Sequence, residues 1–452
     1  MQSTTLGETA DARREEAGRL SGIRRPPVSL LPVNPPLLLT RPAGSPPQTL
    51  EEYRREGGYE ALQRALRNYT PSDVLVEVAR SGLRGRGGAA FSTEAKWKLA
   101  MKFEDGPKYV VANGGEHEPG SRKDKHLVEF YPHKVIEGML LCAYTTGASK
   151  GWLYLIEDMA GPIASAERAV AEARAAGLLG NRILGTPFSF ELEVHRAPTT
   201  YIAGEETAAL NSIEGQPAKP RKKPPFPGEA GLFGRPTTVN NVETLAHVPG
   251  IVRHGGDVFD KIGTAQSKGT LLFTLGEEVN RPGVVEAPFG TTYRELLEQH
   301  GGGMRSGRPV RAVLPAMSSG FLGADQLDLP ISYETLRAVG SSPGCGGVRF
   351  LDDREDVVAF TLKVAEFFMA EQCGQCPPCR METNQFVHIL KAVQAGKGPG
   401  YDEKLRKLAE FSRRKGFCSL IEMAASPVIS ALNVFQAEFA AAAGPAPAGP
   451  QA

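Results

Sequence analysis

The sequence is poor in cysteine and tryptophan and has no excess of charge of either sign. Only six cysteines and two tryptophans occur among 452 residues. So few cysteines exclude a disulfide scaffold and suit a reducing compartment, so we expect a cytoplasmic protein. The 52 lysine and arginine residues balance the 51 aspartate and glutamate residues, which argues against a nucleic acid partner.

Long apolar runs are also missing. The longest, such as residues 135–143, fall well short of the roughly 20 residues that span a bilayer, so we expect no direct membrane insertion. The first 20 residues are charged and contain no apolar signal-peptide core. Any attachment to the inner face of a membrane would therefore depend on a partner protein.

The chain is too long for a single hydrophobic core, which predicts several domains. Residues 1–50 are polar and then proline-rich, which is typical of an extended or disordered leader. Strands and helices alternate over 51–265, which predicts an α/β domain with a largely parallel sheet. Short strands over 266–350 predict a small α+β module, helical patterns over 351–440 predict a bundle, and 441–452 is expected to be a mobile tail.

Four of the six cysteines form a metal-binding pattern. Cys373, Cys376 and Cys379 recur at every third residue, and Cys418 follows about forty residues later. We expect the two prolines after Cys376 to hold the first three in a loop, and the four thiols match the ligand number of a [4Fe-4S] cluster. Zinc is one alternative, although neither a second Cys-x-x-Cys arm nor a histidine accompanies Cys418. Free thiols are the other.

A glycine-rich stretch with interleaved Arg84 and Arg86 runs from Gly82 to Gly88. Such a loop lets backbone amides approach a phosphate while the guanidinium groups offset its charge. A helical pattern precedes it and no acidic residue closes a β-α-β unit, so it is not a dinucleotide-binding turn of the Rossmann type. A flexible surface loop is the alternative.

Further polar loops follow along the chain. Glu116 and Glu118 come directly after an apolar strand, at a strand end where ligands gather. Downstream lie Glu205 and Glu206, a basic run at 221–223 and a pair of asparagines at 240–241. Each could be an ordinary solvated loop. Three such loops within fifty residues favour a binding site for a heterocycle or sugar.

Together these motifs resemble those of the NADH-binding flavoprotein subunit of respiratory complex I, and of related formate dehydrogenase and hydrogenase diaphorase subunits. The matching motifs are GLRGRGGA at 82–89, EPGSRKD at 118–124, YIAGEETA at 201–208, KPPFP at 223–227, TVNNVET at 238–244 and CGQCPPCR at 373–380. The resemblance implies an FMN-binding α/β domain, a ubiquitin-like α+β (soluble-ligand-binding β-grasp) module and a C-terminal helical bundle with an iron-sulfur cluster.

The resemblance also implies which residues bind the cofactors, and it implies no acid-base catalyst. FMN would be held by Gly85, Arg86, Gly87, Lys96, Asn113, Tyr201, Gly204, Asn240, Asn241 and Thr244. NAD(H) would be contacted by Phe91, Glu118, Glu205, Glu206, Lys223 and Phe226. Glu116 belongs to the same cofactor site, Glu118 and Glu205 would position hydride transfer to FMN, and the cluster ligands would be Cys373, Cys376, Cys379 and Cys418.

The function implied is that of an NADH dehydrogenase subunit. A nicotinamide gives up two electrons together whereas a cluster accepts one, so a flavin must stand between them. The implied partners are a thioredoxin-like [2Fe-2S] subunit and a larger iron-sulfur or dehydrogenase subunit. Accessory clusters are expected on those other chains, because this sequence contains no thioredoxin-like or ferredoxin-like extension. The alternatives are a ferredoxin-linked or electron-bifurcating subunit and a cofactor-poor scaffold.

Several positions depart from the pattern of the resembled family. Gly115 stands where an acidic residue is usual, and Leu99 stands where a second adenine-stacking aromatic is usual. Losing a carboxylate beside the flavin is expected to raise its reduction potential, because a nearby negative charge disfavours the reduced anion. Other departures are His117, Ala90, Ser92 and Glu94.

Overall fold

The computed structural model describes residues 36–103 and 106–444. Most of the expected leader (1–35) and most of the expected tail (445–452) therefore lie outside the described residues. The described helices are Leu50–Arg55, Glu60–Asn68, Pro71–Arg80, Thr93–Met101, Lys123–Phe130, Pro132–Thr146, Ala160–Ala175, Glu206–Ile213, Pro227–Ala230, Val242–His254, Gly256–Asp260, Tyr293–Glu295, Tyr333–Ala338, Val357–Glu371, Pro377–Gln394, Tyr401–Ser412, Leu420–Val434 and Gln436–Ala443. The strands are β1 Tyr109–Gly114, β2 Lys150–Ile156, β3 Glu191–Ala197, β4 Thr237–Asn241, β5 Thr270–Leu275, β6 Gly283–Pro288, β7 Val310–Leu314, β8 Leu322–Gly323 and β9 Gly347–Asp352.

The first sheet has the order β3-β2-β1-β4, and its strands are all parallel. Helices such as Pro132–Thr146 and Val242–His254 pack against it, and β2 is buried along almost its whole length. This is the usual state of a parallel sheet, whose crossover helices cover its faces. Asn113 and Asn241 are register partners, so the polar ends of β1 and β4 lie side by side.

The second sheet is mixed, with the order β6-β5-β9-β7-β8. Strands β5 and β9 are parallel, whereas the other neighbours run antiparallel. Its own core includes Phe273, Phe289, Tyr293 and Phe350, all at most 1% exposed. The last strand ends at Asp352, two residues beyond the boundary that the sequence predicted at 350.

The described C-terminal part is helical from Val357 onward, and its helices enclose a core around Phe368, Phe386 and Phe439. The last helix continues to the buried Ala443, so residues 441–443 are helical where the sequence predicted a tail. No single described helix is long and apolar enough to cross a membrane. The pair Leu420–Val434 and Gln436–Ala443 meets that test jointly, by length and composition, but is bent by 92° at its break.

The described end of the leader is fixed to both sheets' domains. The amides of Leu37, Leu38 and Leu39 donate to the Glu286 carboxylate at 3.2, 2.9 and 3.0 Å. Lys134 Nζ donates to the carbonyls of Leu37 and Leu38 at 3.1 and 2.8 Å. Residues 37–39 therefore join the helix Pro132–Thr146 to strand β6.

Candidate functional site

The candidate site lies at the carboxyl ends of β1 and β4. Asn113 Nδ2 donates to the carbonyl of Gly204 at 2.8 Å, and Asn241 Nδ2 donates to the carbonyl of Asn113 at 3.3 Å. Two strand ends and the turn Tyr201–Gly204 are thereby brought together. Brought close in this way are Asn113, Gly204 and Asn241, which the sequence predicted to share a site.

Close backbone packing explains the glycine of this turn. A Cβ at Gly204 would lie 2.6 Å from the carbonyl oxygen of Gly115, closer than real Cβ atoms approach. A Cβ at Gly115 would lie 3.0 Å from Asn113 Oδ1 and 3.1 Å from the Tyr154 ring. An acidic side chain at position 115 would therefore require these neighbours to shift.

The glycine-rich loop faces the same strand ends. It is closed by the Gly85 amide, which donates to the carbonyl of Phe91 at 2.8 Å, and by the Thr93 amide, which donates to Leu83 at 3.1 Å. A Cβ at Gly87 would lie 3.3 Å from Asn241 Cβ. The loop thus packs directly against the paired asparagines, with room for a ligand only because Gly87 has no side chain.

Arg86 does not offer its charge to a ligand, so that expectation is wrong for its side chain. The residue is 1% exposed. Its Nε donates to the carbonyl of Thr270 at 2.9 Å, and its two terminal nitrogens donate to Arg84 and Lys268 at 2.6 Å each. Since carbonyls consume the guanidinium, Arg86 fastens the loop to the second domain. Its amide donates to Thr244 Oγ1 at 2.8 Å.

Four charged residues predicted from separate motifs form one network. Lys223 Nζ lies 2.9 Å from Glu205 and 3.1 Å from Glu206, while Lys96 Nζ lies 3.1 Å from Glu206. Burial alone would raise the pKa of Glu206, but the two ammonium groups outweigh it and lower that pKa. Burial would lower the pKa of Lys223, but the two carboxylates raise it. All four are therefore charged near neutral pH.

Glu205 has a structural role that the sequence did not predict. One of its oxygens accepts from the amides of Thr207 and Ala208 at 2.8 and 3.0 Å, which caps the helix Glu206–Ile213. Its other oxygen faces Lys223. Both oxygens are engaged, so Glu205 orients its neighbours through the helix cap.

Glu118 is a buried junction between domains. It accepts from the Met317 amide at 2.9 Å, from the Cys345 thiol at 3.2 Å and from the Tyr201 hydroxyl at 3.4 Å. Burial raises the pKa of Glu118, although these hydrogen bonds act in the opposite direction. Met317 and Cys345 come from the second domain, and the sequence offered no signal for either contact.

Glu116 is also buried. It accepts from the amide of Lys125 at 3.0 Å and from the Ser121 hydroxyl. Burial, and then the charge of Asp124, raises the pKa of Glu116 to about 7. This carboxyl therefore exchanges its proton near neutral pH.

A buried ion network beneath the site was missed by sequence reasoning. Lys123 is fully buried and lies 2.8 Å from Asp124 and 2.7 Å from Glu243. Asp124 in turn accepts from Asn241 Nδ2 at 2.6 Å. The available signal was the position of these three charges inside the EPGSRKD and TVNNVET motifs. The network fixes the side chain of Asn241.

The aromatic residues expected to meet the adenine ring lie on the surface. Phe91 is 58% exposed and Phe226 is 48% exposed. Leu99 packs beneath the second of these segments, since a Cβ at Gly228 would lie 3.0 Å from its side chain. Asn240, in contrast, is buried and accepts from Trp97 Nε1 at 2.8 Å, so its side-chain oxygen is engaged inside the fold.

The four predicted cysteines line one cavity, which Cys373, Cys376, Cys379 and Cys418 share with Ile202 and Pro220. The Phe417 amide donates to Cys376 Sγ at 3.3 Å. Burial and the neighbouring thiols raise the pKa of Cys379 to about 12, so the thiolate form needs a metal to stabilise it. Four sulfurs around one cavity fit the donor set of a [4Fe-4S] cluster. Among the described residues, no group of three His, Cys, Asp or Glu side chains is placed to hold a single ion.

The local structure around these cysteines differs from the expectation in one respect. The prolines do not exclude a helix, because the helix Pro377–Gln394 begins with them and Cys379 lies in its first turn. Proline is well tolerated at the first helical position, where its missing N–H has no partner to lose. The helix therefore aims Cys379 into the cavity from its N-terminal end.

Residues 201–205 touch both halves of the site. Tyr201 reaches Glu118, Ile202 lines the cysteine cavity, and Gly204 packs against Gly115. The Tyr201 amide also donates to Glu371 at 2.7 Å. One short segment therefore separates the strand ends from the four thiols.

Comparisons with known proteins agree with this layout. A family model of the Nuo51 FMN-binding domain matches residues 78–250, an SLBB domain model matches 274–317, and a model of the NADH-ubiquinone oxidoreductase-F iron-sulfur binding region matches 359–442. The second F-subunit of the NADH-quinone oxidoreductases of Rhizobium meliloti is 43% identical over 394 residues, covering 87% of this chain and 94% of the relative. This chain belongs to the family of NADH-quinone oxidoreductase F-subunits.

Other members and a solved structure extend the comparison. The NADH-quinone oxidoreductase F-subunit of Escherichia coli is 42% identical over 399 residues, covering 87% of this chain and 90% of that relative. A crystal structure of an NAD⁺-reducing [NiFe]-hydrogenase in the H₂-reduced state has 31% identity and a TM-score of 0.75, covering 91% of this chain and 67% of the hydrogenase chain.

Membership of this family confirms the predicted fold class and cofactors. The α/β domain is an FMN-binding domain, and the second module contains the matched SLBB segment. The iron-sulfur model spans all four cysteines. A [4Fe-4S] cluster is therefore preferred over zinc or free thiols.

Proposed function

We propose that this chain oxidises NADH through FMN and passes single electrons to its [4Fe-4S] cluster and then to a partner iron-sulfur subunit. Bound FMN supplies the conversion of an electron pair into single electrons. The chain's own residues bind, orient and insulate the cofactors.

One observation carries this proposal. Residues 201–205 form part of the strand-end site and also contribute Ile202 to the wall of the cysteine cavity. A flavin held at the ends of β1 and β4 and a cluster held by the four thiols would then be neighbours, separated by little more than this turn. Such an arrangement suits electron transfer between the two groups.

The geometry supports different roles for the predicted residues. We assign direct contacts with FMN to the loop around Gly85 and Gly87 and to Asn113 and Asn241, which face the common site. Further direct contacts are assigned to Lys96, with its ammonium group at the end of β4.

Other predicted residues act through the fold. We assign Arg86, Glu118, Glu205, Asn240 and Thr244 positioning roles, because their polar groups are engaged within the protein. Tyr201 links Glu118 to Glu371 and belongs with them. Glu116 holds the loop between β1 and the helix Lys123–Phe130.

For the nicotinamide nucleotide we propose contacts with Glu206, Lys223, Phe91 and Phe226. The two rings are exposed apolar surface next to a charged network, which suits an adenine that stacks and a ribose that donates hydrogen bonds. Leu99 supplies an aliphatic surface where relatives are expected to have a ring. Adenine stacking in this chain therefore rests on fewer aromatic contacts.

We further propose that the chain works within a complex. A thioredoxin-like [2Fe-2S] subunit and a larger iron-sulfur or dehydrogenase subunit would be its partners. These partners would hold it at the inner, cytoplasmic face of a membrane. The family and the hydrogenase likeness support partner subunits in general.

The experiment is anaerobic purification of the full chain followed by rapid mixing with NADH. FMN and iron contents should each indicate a loaded site, and NADH should bleach the flavin absorbance. Electron paramagnetic resonance should then detect a reduced cluster. Cys418→Ser should keep flavin bleaching and lose the cluster signal. A colourless chain without iron or FMN would instead support the scaffold alternative, and an oxidised flavin in the presence of NADH would refute the proposal.

A further inference from the structure

The surface around the cysteine cavity has a one-sided charge. Three stretches supply most of the residues that line this cavity: 217–223, 372–381 and 411–421. They contain eight lysine and arginine residues and no aspartate or glutamate. Since the chain as a whole carries 52 basic and 51 acidic residues, this excess is local. We call these three stretches the cavity mouth.

Most of these cations have no acidic partner. Arg221 pairs with Glu214, and Lys223 pairs with Glu205 and Glu206. Within the described part of the chain, no salt bridge reaches the other six, and all six are exposed. They are Lys219, Lys222, Arg380, Arg413, Arg414 and Lys415. Unpaired surface charge of one sign creates a potential that attracts the opposite sign over several ångströms.

The stretches are joined at the cavity. Gln375 Nε2 donates to the carbonyl of Pro220 at 2.9 Å, which ties the second stretch to the first. The Phe417 amide donates to Cys376 Sγ, which ties the third stretch to the second. The unpaired cations lie within three residues of residues that line the cavity, so they surround one opening.

Exposed apolar side chains accompany the charge. Phe417 lines the cavity and is 38% exposed, Met381 is 38% exposed, and Phe411 is 55% exposed beneath the ammonium of Lys415. Aromatic residues, methionine and arginine are the types enriched where proteins bind one another. A surface for nucleic acid or for a membrane needs the charge but not these exposed rings beside a redox centre.

We propose that the cavity mouth is the docking surface for an acidic electron-accepting iron-sulfur protein, which receives electrons from the cluster and is steered there by the six unpaired cations. This inference rests on the proposed function, because it needs a cluster that releases electrons. The occupant is defined by its chemistry: a carboxylate-rich surface around its own iron centre.

The cations have a second conceivable use, which is to offset the negative charge of a thiolate-bound cluster. Their exposure to water argues against that as their main effect, because salt screens an exposed charge beyond about 10 Å. The Phe417 amide already donates to one of the sulfurs. The two uses differ in measurement, since offsetting moves the cluster's reduction potential whereas docking moves the rate toward acidic acceptors.

The test uses the full, cofactor-loaded chain with two probe acceptors, an acidic rubredoxin and a basic cytochrome c. The rim variant carries Arg413→Gln, Arg414→Gln and Lys415→Gln. A matched control carries Lys261→Gln, Arg337→Gln and Lys397→Gln, which removes three equally exposed cations that form no salt bridge in the described structure. Lys397 follows the far end of the helix Pro377–Gln394, about 27 Å from its start at 1.5 Å per residue.

With NADH in excess and little salt, the rim variant should reduce rubredoxin about tenfold more slowly than the wild type, the lower end of electrostatic steering effects. The control should differ from the wild type by less than about twofold. Raising the salt to about 0.5 M should remove the difference by screening. Reduction of cytochrome c should not slow in the rim variant, because its own surface is basic.

Three results would overturn the inference. They are equal rubredoxin rates in the rim variant and the control, an equal slowing with both acceptors together with a shifted cluster potential in a redox titration, and wild-type binding to anionic phosphatidylserine vesicles that the rim variant loses while its rubredoxin rate is unchanged. Flavin bleaching and the cluster signal are recorded first in each sample. If those are absent, the proposed function has failed; if they are present without a salt-dependent rate, only the docking inference has failed.

Discussion

Replacing Lys123 with methionine should strongly destabilise the flavin-binding domain. The ammonium is fully buried, and its two carboxylate partners lie at 2.7 and 2.8 Å. At an effective dielectric constant of about 20, each contact contributes roughly 6 kcal/mol of attraction, most of which offsets the cost of removing the charges from water. The variant leaves Asp124 and Glu243 buried without their cation.

Removal of one partner from such a buried network typically costs about 3–5 kcal/mol of unfolding free energy. For a domain of this size, about 2–4 °C of melting temperature is lost per kcal/mol, so we expect a decrease of roughly 6–20 °C. Thermal unfolding followed by circular dichroism measures it. Because Asp124 holds Asn241 at 2.6 Å, the variant should also bind FMN more weakly in a fluorescence titration.

The matched control is Lys407→Met. Its ammonium also pairs with a carboxylate, that of Glu403, but the side chain is 76% exposed. Exposed pairs one helical turn apart contribute only about 0.3–0.5 kcal/mol, so the melting temperature should hardly change. If Lys123→Met unfolded within about 1 kcal/mol of the wild type, the buried carboxylates would have to be uncharged, and the reasoning would be refuted.

Three further predictions concern the site. Gly204→Ala should cost about 1–3 kcal/mol and release FMN, because its Cβ would meet a backbone carbonyl at 2.6 Å; Gly250→Ala, which meets nothing within 4 Å in its helix, should stabilise by up to about 1 kcal/mol, and equal effects in chemical denaturation would contradict this. Glu116 has a folded pKa of about 7, raised from 4.5, so its stabilising contribution should be complete below pH 4.5 and fade as the pH rises to about 7, by at most about 1.4 kcal/mol per pH unit. Glu116→Gln should lack this slope in pH-dependent urea unfolding. Phe226→Ala should leave stability within about 0.5 kcal/mol but raise the KM for NADH roughly 5- to 100-fold by removing a stacking surface, and an unchanged KM would remove it from the nucleotide site.

The sequence predicted the α/β class, the second module and the cysteine set because each depends on local pattern. Apolar strands alternate with helices, and three closely spaced thiols leave few alternatives. Helix onset at Pro377 was missed because proline both ends helices and begins them. Which of these happens depends on Cys376, whose extended backbone lets it cap the new helix.

The roles of individual charged residues could not be predicted from pattern alone. Arg86 looks like a phosphate ligand beside its glycines, but the carbonyls of Thr270 and Lys268 lie over 180 positions away and meet it only in the folded chain. Glu118 finds Met317 and Cys345 for the same reason. Contacts of this kind come from the docking of one domain on another, and no spacing rule encodes them.

An anaerobic titration with NADH tests the link between flavin and cluster most directly. A chain that holds both should take up three electrons, so complete reduction should require about 1.5 equivalents of NADH per chain, whereas Cys418→Ser should require about 1 equivalent. An endpoint near 1 equivalent in the iron-loaded wild type, with its cluster still oxidised, would contradict the account.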